Sequence, residues 1–245
     1  MVSKAYGALV MGTIAVSSGA DKTFLQKPKR RGRNLYSSLY CKEPTLLALV
    51  VVFGRLAGAT LIAPVVNYWL PGFPRTLAKE AYNEQLPQDQ WAVRIAHYTP
   101  WLTYWWNTQK WFPASSVISK KSKLSPQDVK ILTTMHARQV RPKANVTQQG
   151  EYESFHRELM VGFWSWEFDP MELDNPFPDN EGSVHLWQGD DDWLGPVTLQ
   201  RHIAGRLPWI CYHEVTDAGH FFPYADGMRE AIFKTLLLGE KLLKK

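Results

Sequence analysis

Cysteine is nearly absent from this chain: 245 residues hold two, Cys41 and Cys211. Their contexts differ too much for a structural disulfide to be expected. Both read as free thiols in a reducing compartment, which excludes a small disulfide-stapled scaffold. Metal-ligand spacing is missing as well. The seven histidines are scattered, and no pair of them stands near a carboxylate or thiolate at the intervals that metal sites use. There is no glycine-rich phosphate loop and no internal repeat, so no cofactor is implied.

An excess of one charge sign is missing from most of the chain. The formal net charge is +5, but residues 1–45 alone carry eight cations (Lys4, Lys22, Lys27, Lys29, Arg30, Arg31, Arg33, Lys42) against two acids (Asp21, Glu43). That stretch sums to +6 and the remainder to −1. The run Lys27 to Arg33 has no interleaved aromatics and belongs to no recognisable module, so nucleic acid is not an expected partner.

What is present is a globular composition, 45% hydrophobic and 21% charged, in a chain long enough for one substantial core with a subdomain. Eleven tryptophans all fall between Trp69 and Trp209. That stretch is expected to build aromatic packing or a pocket lining.

Residues 1–45 read as a basic, poorly structured leader. An acid-poor, Arg-containing leader fits an organellar transit peptide, and Met1 to Ala20 a weak secretory signal. The basic run fits a nuclear-import patch, and a plain solvated extension accounts for it equally. Localisation therefore stays open, with the cytoplasm favoured over an organelle or a membrane. Leu46 to Leu70 is the most apolar segment, and its roughly 25 residues would suffice to cross a bilayer. Against that, Arg55 near its middle would cost about 2.5–3.5 kcal/mol, and Gly54, Gly58 and Pro64 interrupt it. A buried parallel strand at Ala59 to Ala63 is the favoured reading, with membrane attachment through residues 46–70 as the alternative.

Between Asn67 and Asn180 strand alternation disappears. Helices are expected at Thr76–Glu84, Gln88–His97, Leu102–Lys110 and Glu151–Phe163. The clearest start is Ser125-Pro126-Gln127-Asp128: a capping serine, a proline at the first helical position, and an acid at the positive end of the dipole. Asn145-Val146-Thr147 fits a glycosylation sequon that matters only in a secreted chain. After Asn180 the pattern changes to strand (Ser183–Trp187), acidic loop (Gly189–Pro196), helix (Thr198–Arg206), strand (Trp209–Val215), loop (Thr216–Pro223) and a final helix (Gly227–Leu243). This alternation implies parallel strands joined by crossovers.

In such sheets, functional residues collect beyond the carboxyl ends of the strands. One of the two loops reads GDDDWLGP, with Asp190, Asp191 and Asp192. The other reads DAGHFFP, with His220. An acid after one strand and a histidine after the next face each other across one edge of the sheet. That suits a pair in which the carboxylate fixes the imidazole tautomer and stabilises its protonated form.

With these motifs the segment from Gly54 to Glu240 resembles the C-terminal part of plant-type α/β-hydrolase superfamily proteins. The resemblance rests on GRLAGATLIAPVVNYWLPGFP, LPQDQWAVRIAHYTPWLTYWWNTQKWFPASSV, GFWSWEFDPMELDNPFP, VHLWQGDDDWLGPVTLQR and AGHFFPYADGM. It implies an incomplete α/β-hydrolase fold, a partial domain over residues 46–245 whose residues 67–180 form a helical cap. It also implies a serine hydrolase or esterase ancestry, with a hydrophobic ester or similar acyl compound as the small-molecule ligand. The family's acid maps onto Asp192, its following proline onto Pro196, and its histidine onto His220.

Two departures bear on that reading. Gly195 replaces the usual valine, which is expected to loosen the loop holding Asp192. The nucleophile elbow, G-x-S-x-G on a strand-to-helix turn, is absent from the entire sequence, as is the His-Gly oxyanion loop. Ser17 and Ser18 lie in the leader, Ser37 and Ser38 beside the basic run, and Ser165 in the cap. Loss of the serine costs a triad about 10⁶ in rate, so a family member truncated in its N-terminal half is expected to be inactive. The alternative is a non-catalytic protein that uses the aromatic cap to bind a ligand or partner. In either case the strand at Ala59 to Ala63 would be left with a bare apolar edge, which Leu46 to Phe53 is expected to fold back and cover.

Overall fold

A computed structural model describes residues 13–17, 56–137, 150–179 and 182–238. Its centre is a sheet of four strands in the order β1 (Thr13–Ser17), β2 (Leu56–Ile62), β3 (Ser183–Gly189), β4 (Ile210–Val215). Strands β2, β3 and β4 are parallel, with Thr60 opposite His185 and Trp187 opposite His213. The chain is therefore of the α/β class, as the alternation after Asn180 implies. Strand β1 runs the other way, with Thr13 opposite Leu61 and Ser17 opposite Leu56. It covers the edge of β2 that was expected to need cover. The segment expected to supply that cover, Leu46 to Phe53, lies outside the described residues.

The strand at Thr13–Ser17 also interrupts what read as a structureless leader. The rest of residues 1–45, with the basic run and Cys41, lies outside the described residues, as do Arg55 and the sequon. Within Leu46–Leu70, the described part is strand β2 followed by irregular chain. No helix among the described residues is long and apolar enough to cross a membrane. Cys211 is exposed, with a free thiol.

Between β2 and β3 lies the helical insertion: α1 (Arg75–Asn83), α2 (Pro87–Tyr98), α3 (Thr103–Thr108), α4 (Ser116–Ser119), α5 (Pro126–Ala137) and α6 (Glu151–Phe163). Helix α7 (Val197–Arg206) links β3 to β4, and α8 (Met228–Leu238) follows the last loop. Most of these ends match the expected ones within one or two residues. The expected end of the last helix, Leu243, lies outside the described residues, and α3 is preceded by a 3₁₀ turn at Pro100–Leu102.

Alternation along each strand gives the sheet two buried faces. Ala59, Leu61, Val184, Leu186 and Ile210 pack with Leu199 and Ile203 of α7. This core continues into the insertion through Tyr68, Phe73, Tyr82, Val93 and Phe155. On the opposite face Ile62 and Trp187 pack with Leu132 of α5, Phe221, Phe222 and Ile232 of α8. With both faces covered, strand β3 is buried from Val184 to Gly189, as a central parallel strand must be. The tryptophans do not all join this core. Trp187 is fully buried, but Trp91, Trp101, Trp105, Trp111, Trp164 and Trp193 are each at least 41% exposed.

Two histidines missed by the sequence reading share the α8 face. His185 Nδ1 lies 2.8 Å from His213 Nε2, and Ser183 Oγ lies 2.9 Å from His185 Nε2. His213 also stacks on Trp187 at 4.0 Å. One ring of the pair donates and the other accepts, so this geometry suits two neutral imidazoles and rejects two imidazolium ions. Burial lowers the His185 pKa, and burial together with His185 pushes His213 down to about 4.

The unfolded chain takes up protons at these rings below about pH 6.5. The folded chain resists them, so their contribution is complete above that pH and is lost as pH falls toward 4. Urea denaturation near neutral pH and again near pH 4 should show a loss of about 1–2 kcal/mol from this pair, allowing for the partial exposure of His213. The double variant His185→Gln/His213→Gln should lack that component of the pH dependence.

Candidate active site

The acid and histidine loops meet at the carboxyl ends of β3 and β4, and backbone bonds stitch them together. Asp190 N–H donates to Val215 O at 3.1 Å and Asp191 N–H to Ala218 O at 3.0 Å. Asp190 Oδ1 accepts from Ala218 N–H at 3.2 Å. The loops approach so closely that a Cβ on Gly189 would collide with the Ala218 carbonyl. Of the three consecutive acids, Asp190 therefore joins the loops, and Asp191 accepts from the Trp193 indole at 2.7 Å.

Asp192 is the one aimed at the histidine. Its Oδ2 lies 2.8 Å from His220 Nδ1, with both residues buried. The same oxygen accepts from Gln188 Nε2 at 2.7 Å, and Oδ1 accepts from Leu194 N–H and Gly195 N–H, each at 2.8 Å. Burial works to raise the Asp192 carboxyl. The charge and hydrogen bond of His220 and the two backbone donors outweigh it, leaving the carboxyl below its usual range. Its contribution to stability is thus present above about pH 4 and is lost as pH falls through the depressed native value.

The expected loosening at Gly195 does not occur. Its amide is one of the two that clamp Oδ1, and a Cβ there would stand 3.1 Å from Asp192 Oδ2. Glycine lets the loop close tightly around the carboxylate.

The histidine is held from behind by a residue the sequence reading had assigned only to a helix start. Asp128, fully buried, accepts from His220 N–H at 3.0 Å and from Phe221 N–H at 2.7 Å. Ser125 Oγ in turn accepts from Asp128 N–H at 3.2 Å, the capping bond expected at the start of α5. Gly219 makes this approach feasible, because a Cβ there would overlap Ser125 Oγ and the Asp128 carboxyl. Burial raises the Asp128 pKa, opposed by the Phe221 and His220 amides. A serine followed by an acid three residues later was visible in the sequence. Its pairing with an amide 92 residues away was not.

The described serines among those weighed as nucleophiles fall elsewhere. Ser17 pairs with Leu56, at the end of β2 opposite the site. That is about 16 Å of strand away from the Leu61 end. Ser165 follows α6 in the insertion, and Ser18, Ser37 and Ser38 are outside the described residues. Ser125 serves as a cap, while Ser115 donates to Asp89 at 2.7 Å and caps α4. A cavity of about 20 Å³ borders Leu61, Pro64, Val66, Trp166, Gln200 and Ile203. Neither Asp192 nor His220 lines it, and it has room for a single water, not an acyl compound.

No family model and no curated protein matches this chain. Among solved structures it is similar to an alpha/beta hydrolase enzyme from a Medee basin deep-sea metagenome library, at 12% identity and a TM-score of 0.38, over 76% of this chain and 57% of that one. It is similar also to a hydrolase from Oleispira antarctica, at 16% identity and a TM-score of 0.34, over 79% and 58%. The chain spans less than two thirds of the length of either structure. At such TM-scores the likeness carries no argument, and the account of the site rests on its own geometry.

Replacing Asp128 with alanine leaves two buried amides without their acceptor. The variant should lose about 2–4 kcal/mol in urea denaturation, and the His220 ring resonances should shift by NMR as its loop loosens.

Proposed function

We propose that this chain is an α/β-hydrolase relative that carries the acid and base of a serine-hydrolase triad, Asp192 and His220, without a nucleophile of its own. The Asp192–His220 hydrogen bond at 2.8 Å is the observation that carries this reading. It lies where two loops leave parallel strands, and the carboxylate is saturated by Gln188, Leu194 and Gly195. In a complete triad Asp192 would orient the ring, and His220 would take a proton from a serine and return it to the leaving group.

The second support is the direction of β1. A nucleophile elbow needs a strand whose carboxyl end opens at the site, and the described strand beside β2 ends on the opposite side. A triad that loses its serine forfeits about 10⁶ in rate. On this reading residues 67–180 correspond to the cap of such an enzyme, whose ligand would be a hydrophobic ester or acyl compound. The chain as it stands binds such a compound without hydrolysing it.

Two measurements test the proposal. A fluorophosphonate probe should label neither the purified chain nor His220→Ala. A panel of p-nitrophenyl esters should be hydrolysed no faster by the chain than by that variant. Labelling that disappears in His220→Ala would mean that an unrecognised serine is activated, and the proposal fails.

A further inference from the structure

We propose that the outer face of the helical insertion, around Trp101, Trp105, Trp111 and Phe112, seats the protein on an anionic lipid surface. Trp101 is 74% exposed and Trp111 79%, values at which a monomeric soluble protein would ordinarily carry polar side chains.

Trp101 and Trp111 flank the short helix α3 on either side. Only Thr103 and Asn107, four residues apart, are buried on this helix. Thr103 Oγ1 contacts Met160 Sδ of α6 at 3.7 Å, and Asn107 Nδ2 donates to Thr103 O at 2.8 Å. Trp106 packs partly buried against the core, while Tyr104 and Trp105 point outward.

The aromatic face is also held in place. Gln109 Oε1 accepts from Trp111 N–H at 2.5 Å and Phe112 N–H at 2.8 Å, and its Nε2 donates to Trp106 O and Phe112 O. The rings touch in two chains. Trp91 meets Trp106 at 5.9 Å, and Trp106 stacks on Phe112 at 5.4 Å; beside them Trp105 meets Trp111 at 6.0 Å.

Charge identifies the occupant. From Gln90 to Gln127 the chain contains no acid and five cations, Arg94, Lys110, Lys120, Lys121 and Lys123, all exposed. Residues 46–245 as a whole sum to −1, and two of these cations sit at the aromatic face: Arg94 lies over Trp91 at 5.1 Å, and Lys110 directly precedes Trp111. Tryptophan and tyrosine settle at the membrane–water boundary, and lysines beside them draw a surface toward anionic headgroups. Lysine is depleted in protein–protein interface cores. A second copy docked on the same face would bring these like charges against each other.

Flotation of the full-length protein with vesicles tests the proposal. The chain should float with phosphatidylcholine vesicles enriched in phosphatidylserine, less with pure phosphatidylcholine, and less again at high salt. Brominated acyl chains should quench its tryptophan fluorescence. Trp101→Ser/Trp111→Ser alters two side chains outside the core and should reduce the bound fraction about tenfold. Arg94→Glu/Lys110→Glu should abolish the preference for anionic vesicles. The basic run at Lys27 to Arg33 could also attract such vesicles, so undiminished flotation of the tryptophan variant would assign binding to that run and overturn the proposal. Absence of flotation would overturn it too, as would a dimer in sedimentation that the tryptophan variant dissolves.

Discussion

Strand β2 presents two edges of backbone donors and acceptors, and its parallel partner β3 fills one of them. The other must be paired, covered or blunted, because a bare apolar edge invites association with other chains. Strand β1 fills it in the antiparallel sense. The sheet closes its edge in this way, and the direction of closure decides which residues can reach the loops that hold Asp192 and His220. A parallel neighbour would deliver its carboxyl-terminal turn to that side. An antiparallel one delivers Ser17 to the other.

Around that constraint the two loops are built with more care than a solvated surface requires. Two glycines, Gly189 and Gly219, leave room where a side chain would collide with backbone or with Asp128. Two buried carboxylates stand on either side of His220: Asp192 takes the ring, and Asp128 takes the backbone amides of His220 and Phe221. Removing either would leave buried donors without partners, which is more costly than never having formed the bonds. The arrangement keeps an imidazole oriented by a carboxylate.

Much of this was legible in the sequence. The alternation of strand, loop and helix after Asn180 located β3, α7, β4 and α8, because apolar runs and turn residues there agree with one another. The Ser125-Pro126 start of α5 and the helix at Glu151–Phe163 followed from local chemistry alone. What escaped was long-range. Thr13–Ser17 is a five-residue run in a nondescript leader, and nothing local marks it as a strand until β2 supplies a partner more than 40 residues later. Asp128 looked like a dipole-complementing acid because its other partners lie 92 and 93 residues away. The His185–His213 contact did leave a signal. Ser183, His185 and Trp187 alternate onto one face of β3, and parallel register sets His213 beside Trp187.

Engineered disulfides test the direction of β1 most directly. With Cys41 and Cys211 replaced by serine, Ile14→Cys/Thr60→Cys should cross-link readily, because Ile14 lies opposite Thr60. Val16→Cys/Ile62→Cys should stay reduced, since Val16 lies opposite Gly58, well down the strand from Ile62. A bridge at Val16/Ile62 in addition to Ile14/Thr60 would mean that the leader strand runs parallel to β2 and opens toward His220, because a parallel register sets both pairs opposite each other. It would contradict the account.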